Sequence, residues 1–217
     1  MPANLPAGQP AARRSWFESG PGQALIESEI PLIRRTLSER PALPWLWFSP
    51  GSVRIESPGR GLCLVANGGD WEGQVRCRLP LPLASESIAT VVLQHVPAGE
   101  GLAELLGECA RVLVDGGRVH LFTLNPLSPY RLRWQGAGLH ASEPLTWRRR
   151  LRRVGLEPDP VSQGVGPVWR VEARPGAGSG PGLRAAYALR AEKRVMPLTP
   201  TPGGVRQLRF QQGLSTG

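Results

Sequence analysis

The sequence is poor in the residue types that most often build metal and disulfide sites. Its 217 residues include three cysteines, three histidines and three aspartates. The cysteines have neither CxxC spacing nor an even count, so the pattern predicts no zinc site and no disulfide framework. The histidines have no partners at metal-ligand spacing. We therefore expect no bound metal. The cysteines are Cys63, Cys77 and Cys109.

The chain also lacks any run of about 18 consecutive apolar residues, the length that a transmembrane helix needs. Its N-terminus has no basic-then-apolar pattern, which predicts no secretory signal. No G-x-S-x-G, Walker or HExxH motif occurs, which argues against hydrolases, NTPases and zinc peptidases. We expect a cytoplasmic protein with no membrane partner.

Lysine is almost absent, whereas arginine is abundant. Lys193 is the only lysine among 26 basic residues, and the net charge is +9. Because guanidinium matches phosphate geometry, this bias is compatible with nucleic-acid binding. The densest cluster lies on a helix predicted over residues 143–154, and the favoured alternative to nucleic-acid binding is an ordinary solvated surface. Its members are Arg148, Arg149, Arg150, Arg152 and Arg153.

Length and composition predict one globular domain with loose ends. Hydrophobic residues make up 41% and charged residues 20%, as in ordinary folded proteins. The 27 glycines and 23 prolines concentrate at the two ends and in residues 175–182. We predict a flexible leader over residues 1–14, one domain over residues 15–195 and a flexible tail over residues 196–217.

One central stretch reads as strand, helix and strand. Residues 87–96 are rich in Ile and Val, as in a buried parallel strand. Asp115-Gly116-Gly117 is expected to end the following helix, and residues 118–124 form the next strand. Such a unit is a right-handed crossover with parallel strands. The helix has an apolar stripe at Leu102, Leu105, Leu106, Cys109 and Leu113.

Further elements are predicted on both sides of this unit. A helix over residues 16–37, interrupted near Pro31, packs on the core or, alternatively, covers a pocket. The early strands lie so close together that a full helix does not fit between each pair. The first half of the fold is therefore expected to be shortened. The strands are predicted over residues 44–48, 61–66, 74–79, 168–173 and 185–195.

The central stretch resembles the second half of a class I S-adenosylmethionine (SAM)-dependent methyltransferase domain. That family shows an LPF-x-x-x-S-F-D segment, a hydrophobic strand and a helix ending R-V-L-x-P-G-G. The matching segments here are Leu81-Pro82-Leu83, Ser87-Ile88 and RVLVDGG over residues 111–117. Asn125-Pro126-Leu127-Ser128 and RAEKRVMPLT over residues 190–199 resemble a type-11-like proteobacterial subgroup. The resemblance implies a three-layer Rossmann-like α/β fold, with a mostly parallel sheet and an antiparallel last strand.

The same resemblance implies methyl transfer from SAM to an acceptor that the sequence does not identify. The family's glycine-rich loop after the first strand is reduced here to Ser49-Pro50-Gly51. Asp70 is the candidate for the carboxylate that binds the ribose, although a turn composition explains it as well. Cys77 stands where an adenine-contacting acid is expected. The resemblance implies a cofactor site of Ser49, Gly51, Asp70, Cys77, Leu81, Gln94 and His95.

Gln94 and His95 end the central strand, at the sheet edge where α/β proteins bind ligands, and a purely structural role stays open for them. The next strand closes on the same edge, which predicts a substrate side there. The predicted substrate residues are Asn125, Pro126 and Tyr130. The alternative function is an inactive relative that binds protein or nucleic acid through its arginines. A Rossmann dehydrogenase is a more distant third, because its glycine fingerprint is missing.

Overall fold

The computed structural model describes residues 16–51, 59–67, 69–99, 101–168, 178–179 and 183–194. The predicted leader, the predicted tail and most of residues 175–182 lie outside the described residues. The helices are α1 (Gly20–Ser38), α2 (Leu102–Val112), α3 (Pro144–Arg153) and a 3-10 helix η1 (Pro129–Arg133). The strands are β1 (Trp45–Ser49), β2 (Gly61–Asn67), β3 (Asp70–Gly73), β4 (Arg76–Cys77), β5 (Ile88–Gln94), β6 (Leu113–Leu124), β7 (Leu156–Pro158), β8 (Gln163–Val168), β9 (Gly178–Ser179) and β10 (Arg184–Lys193).

One sheet contains all of these strands, in the order β4-β3-β2-β1-β5-β6-β10-β8-β9, with β7 beside part of β10. Strands β2, β1, β5 and β6 are mutually parallel, whereas β10 runs antiparallel to β6. Strand β3 pairs antiparallel with β2, and β4 pairs antiparallel with β3. A hairpin therefore stands where a helical crossover would be, and the predicted shortening of the first half is confirmed.

Helices cover both faces of the sheet. Side chains alternate along each strand, so Leu46 and Phe48 of β1 pack with α2 and α3, while Trp45 and Trp47 pack under α1. Strand β5 follows the same rule, with Val92 on the α1 side. Two separate apolar clusters result, one on each face. This is the predicted three-layer arrangement.

Helix α1 differs from the prediction because it continues through Pro31. Proline removes one backbone donor and strains the preceding turn, yet Pro31 lies on the exposed side of the helix. Leu25, Ile26 and Ile33 on the opposite side are buried against the sheet. The apolar contact of this stripe outweighs the local cost of the proline, so the predicted interruption is wrong.

The boundary between α2 and β6 also differs. The helix ends at Val112 and the strand begins at Leu113, so Asp115-Gly116-Gly117 lies inside the strand. The register with β5 shifts there, and Gly116 has a φ of 68°. Glycine adopts this left-handed conformation at little cost. The Asp-Gly-Gly segment therefore forms a bulge in β6 and does not end the helix.

Candidate functional site

A cavity of about 390 Å³ lies at the carboxyl ends of β1, β5 and β6. Ser49 and Pro50 follow β1, residues 95–99 follow β5, and Thr123 and Leu124 belong to the end of β6. Open α/β sheets bind their ligands at this edge. The volume lies within the roughly 300–1,000 Å³ of small-molecule sites.

The remaining walls come from five parts of the chain. Phe17 precedes α1, Gly101 and Leu102 begin α2, and residues 138–140 belong to the segment after η1. Gly69 and Asp70 lie where β3 begins, and Leu79 follows β4. Most of these side chains are apolar. The polar exceptions among the described lining residues are Ser49, Asp70, His95, Thr123 and His140.

Three of the predicted cofactor residues, Ser49, Asp70 and His95, line this cavity. Ser49 is buried, and its hydroxyl donates to the carbonyl oxygen of Gly51 at 2.8 Å. Gly51 is not among the lining residues, but a Cβ there would meet no atom within 4 Å. Among the described residues, none fills the space beside Gly51.

Asp70 is a wall residue whose carboxylate is already paired. Arg78 donates through Nε to Oδ1, and Arg76 donates through Nη2 to Oδ2 at 3.0 Å. These hydrogen bonds, that of Arg78 above all, hold the pKa of Asp70 below its usual range. Each carboxylate oxygen offers two acceptor sites, and within the described part of the chain Oδ1 receives one donor. Asp70 thus shapes the turn and still has room for one ligand hydrogen bond.

Gln94 and His95 belong to a buried polar cluster with Glu29 of α1. The Gln94 amide donates to Glu29 Oε2 at 2.8 Å, and His95 Nε2 lies 3.0 Å from both carboxylate oxygens. Glu29 and Gln94 are fully buried. Sequence reasoning missed Glu29, although an acidic residue in the stripe Leu25, Glu29, Ile33 was a usable signal. A buried carboxylate is almost never left without partners.

Leu81 and Cys77 lie outside the described lining of the cavity. The Leu81 amide donates to Glu108 Oε2 at 2.7 Å, and its carbonyl oxygen accepts from Arg111 at 3.0 Å. Arg111 holds the pKa of Glu108 below its usual range. Burial, and then the Asp70 carboxylate, raises the pKa of the Cys77 thiol. The two backbone hydrogen bonds of Leu81 fix the segment next to Leu79, and Leu79 does line the cavity.

The predicted substrate residues hold the turn after β6 together. The Asn125 amide donates to the Arg184 carbonyl at 3.0 Å, and its oxygen accepts from the Leu127 amide at 3.1 Å. The Tyr130 hydroxyl donates to the Pro21 carbonyl at 3.2 Å, and Pro126 is half-buried. None of these three predicted residues is among the described lining of the cavity. Their substrate role stays a prediction.

Helix α3 carries the arginine cluster as predicted, and three of its arginines make local contacts. Arg148 donates to the Asp159 carbonyl at 3.0 Å, Arg150 lies 5.1 Å from the Trp147 ring centre, and Arg152 lies 3.9 Å from Glu157. Arg149 and Arg153 are exposed. Part of the cluster therefore serves the fold, and nucleic-acid binding stays a prediction.

The described ranges contain no group of three His, Cys, Asp or Glu side chains that could hold a metal ion. Within those same ranges, no helix is both long and apolar enough to span a membrane. The predicted cytoplasmic location is not tested by either observation and stays a prediction.

Comparison with known proteins shows the fold. No protein-family model and no curated protein matches the chain. A SAM-dependent methyltransferase from Thermotoga maritima matches with a TM-score of 0.57 at 14% identity, over 83% of this chain and 94% of that chain. A SAM-dependent methyltransferase from Archaeoglobus fulgidus matches with a TM-score of 0.50 at 14% identity, over 77% and 98%.

A third similar structure carries ligands. It is the 1,6-didemethyltoxoflavin-N1-methyltransferase of Burkholderia thailandensis, with bound 1,6-didemethyltoxoflavin and S-adenosylhomocysteine. It has a TM-score of 0.50 at 13% identity, over 90% of this chain and 93% of that chain. The chain therefore has the Rossmann-like fold of class I SAM-dependent methyltransferases, as predicted. The proteobacterial subgroup stays a prediction.

Proposed function

We propose that the chain binds SAM in the cavity at the carboxyl edge of the sheet and transfers the methyl group to an acceptor not yet identified. The observation that carries the proposal is the position of the cavity. It lies beyond β1, β5 and β6, in a fold shared with SAM-dependent methyltransferases. Fold by itself is compatible with several activities, so the walls of the cavity have to fit the cofactor as well.

The described walls offer contacts for the adenosine part of the cofactor. Cβ atoms built on Gly69, Gly99 and Gly101 would meet no atom of the described residues within 4 Å. The described backbone therefore leaves room for close approach of a ligand at three points. Asp70 keeps one acceptor site on Oδ1 that a ribose hydroxyl can use. Leu102 and Leu105 offer an apolar surface for the adenine ring. These residues would hold the cofactor.

When bound, SAM supplies an electrophilic methyl group on a sulfonium. The chain contributes proximity and orientation, which account for most of the catalysis available to such a reaction. Ser49, residues 95–99, Phe17 and His140 all line the cavity. A small acceptor that enters between these walls is held away from bulk water, which strengthens its polar contacts.

Isothermal titration calorimetry with SAM and S-adenosylhomocysteine tests the proposal. Ala98 lines the cavity, and Ala98→Trp places an indole in the space of the ligand. We expect the wild-type chain to bind both ligands and Ala98→Trp to lose binding at least about tenfold, which corresponds to 1.4 kcal/mol.

Ala42→Trp is the matched control, because Ala42 is exposed and precedes the amino end of β1. It should bind both ligands like the wild-type chain. Absence of binding to a folded wild-type chain would refute the proposed function. Equal affinities in the two tryptophan variants would place the cofactor elsewhere on the chain.

A further inference from the structure

The cluster of Glu29, Gln94 and His95 contains two buried polar atoms that the described residues leave unpaired. Within the described residues, His95 Nδ1 and Gln94 Oε1 have no hydrogen-bond partner. Unpaired buried polar atoms are costly, and those that persist in native structures call for an explanation. His95 also has a φ of 46°, a conformation that residues other than glycine rarely adopt. Such strained residues cluster at active sites.

Hydrogen bonding to Glu29 selects one tautomer of the His95 ring. An ionised carboxylate only accepts hydrogen bonds, and Nε2 lies 3.0 Å from both Glu29 oxygens. With Glu29 ionised, Nε2 carries the ring proton and donates a hydrogen bond to the carboxylate. In the neutral ring the other nitrogen, Nδ1, then has a free lone pair. A carboxylate that orients a histidine in this way is a recurring arrangement in proton-transfer sites.

We propose that His95 is the proton acceptor of the methyl transfer, with Nδ1 as the accepting atom, and that Glu29 is the positioning residue that keeps this atom free. This inference rests on the proposed SAM-dependent function. It defines the acceptor as a molecule that loses a proton on methylation, through a hydroxyl, a thiol or an N–H group. A carboxylate substrate, which is already deprotonated, would need no such base.

The step balances as follows. A lone pair of the acceptor heteroatom forms the new bond to the methyl carbon, the carbon–sulfur bond breaks, and its electron pair stays on sulfur. The proton of the acceptor passes to His95 Nδ1, and the imidazolium is stabilised by the Glu29 carboxylate. General acid–base catalysis of this kind contributes about 10²–10⁴-fold to a rate.

The Phe17 side chain packs against the His95 ring at the cavity and controls the access of a ligand to it. Its ring centre lies 5.1 Å from that of His95, and both residues line the cavity. The His95 side chain is only 1% exposed in this structure. Catalytic contacts often become aligned only in the complex with substrate, so Phe17 has to shift when the acceptor enters.

Long-range ¹H–¹⁵N NMR spectra of the ring nitrogens test the proposal without an activity assay. The chain has three histidines, and the signals that disappear in His95→Gln identify His95. We expect Nε2 to be protonated and Nδ1 to be unprotonated at neutral pH. A protonated Nδ1, in the neutral or the charged ring, would overturn the proposal.

Glu29→Gln tests the positioning role through the tautomer of the His95 ring. A merely structural role of Glu29 would not change which ring nitrogen is protonated. The new amide oxygen can accept from Gln94, so its NH₂ group faces His95 Nε2 and donates to it. The proton should then move to Nδ1. Glu27→Gln is the control, because Glu27 is exposed on the same helix. An unchanged tautomer in Glu29→Gln would show that Glu29 does not position the ring.

Phenol and anisole, added to the S-adenosylhomocysteine complex, distinguish a reachable Nδ1 from a sequestered one. Phenol donates a hydrogen bond and anisole, its methyl ether, does not. We expect phenol to shift the Nδ1 resonance and anisole to leave it in place. No shift with phenol, or equal shifts with both, would overturn the proton-acceptor role. If S-adenosylhomocysteine does not bind, the proposed function is refuted. The tautomer measurement needs no ligand and still tests how Glu29 positions the His95 ring.

Discussion

Replacing Glu29 with alanine removes the acceptor that two buried donors share. The Gln94 amide and His95 Nε2 would each lose their partner. A buried donor left unsatisfied costs about 1–3 kcal/mol, so we expect Glu29→Ala to lower the free energy of unfolding by about 2–6 kcal/mol. Total stabilities of domains are about 5–15 kcal/mol, so the variant should unfold at a much lower urea concentration.

Urea unfolding followed by tryptophan fluorescence measures this loss, since the chain has seven tryptophans. A change of 1 kcal/mol shifts the Tm of a domain of this size by about 2–4 °C, so thermal unfolding should show a fall of at least roughly 4 °C. Glu27→Ala is the matched control at an exposed site of the same helix. A loss below about 1 kcal/mol in Glu29→Ala, or an equal loss in the control, would refute the assigned hydrogen bonds.

Three further outcomes follow from contacts around the site. Arg111→Ala removes the hydrogen bond that the guanidinium donates to the Leu81 carbonyl; it should cost about 1–3 kcal/mol in urea unfolding and weaken SAM binding in calorimetry. The pKa of the Asp70 carboxyl group is lowered in the folded chain, so ionised Asp70 stabilises the fold above its ordinary pKa of about 3.9. This stabilisation is lost as the pH falls through the lower pKa of the folded chain. In that acid range the urea midpoint of Asp70→Asn should therefore fall less than that of the wild-type chain. Burial raises the pKa of Cys63 to about 11, so iodoacetamide at pH 8, followed by mass spectrometry, should label it at least about 100-fold more slowly than free cysteine.

Each of these outcomes has a control. Arg34→Ala changes an exposed arginine on α1 and should leave both the urea midpoint and SAM binding unchanged. Glu27→Gln changes an exposed carboxyl group on α1 and should keep the acid sensitivity of the wild-type chain. An equal loss in Asp70→Asn would contradict the pairing with arginine. The Cys63 thiol should react rapidly once urea unfolds the chain. Rapid labelling in the folded chain would show that the thiol is not protected by burial.

The strand–helix–strand unit was readable because its signals are local. The strand predicted over residues 87–96 contains β5, and the apolar stripe that begins at Leu102 lies on α2. The predicted last strand overlaps β10. Local periodicity decides such elements when the apolar side is wholly buried. Pro31 and Asp115-Gly116-Gly117 were misread because packing on the sheet and a bulge in β6 outweighed the local signals of these residues.

From hydrophobic periodicity the sequence alone determined the strand–helix–strand unit. The resemblance of that unit to class I SAM-dependent methyltransferases implied the fold class and the sheet edge that carries the cavity. Only the tertiary structure decided which polar side chains meet there. Glu29 and Gln94 are 65 positions apart in the chain, and no spacing rule connects them. Asp70 likewise gains its two arginines only when β3 folds back on β4. Contacts between distant residues depend on how the layers pack, and that is a property of the whole fold.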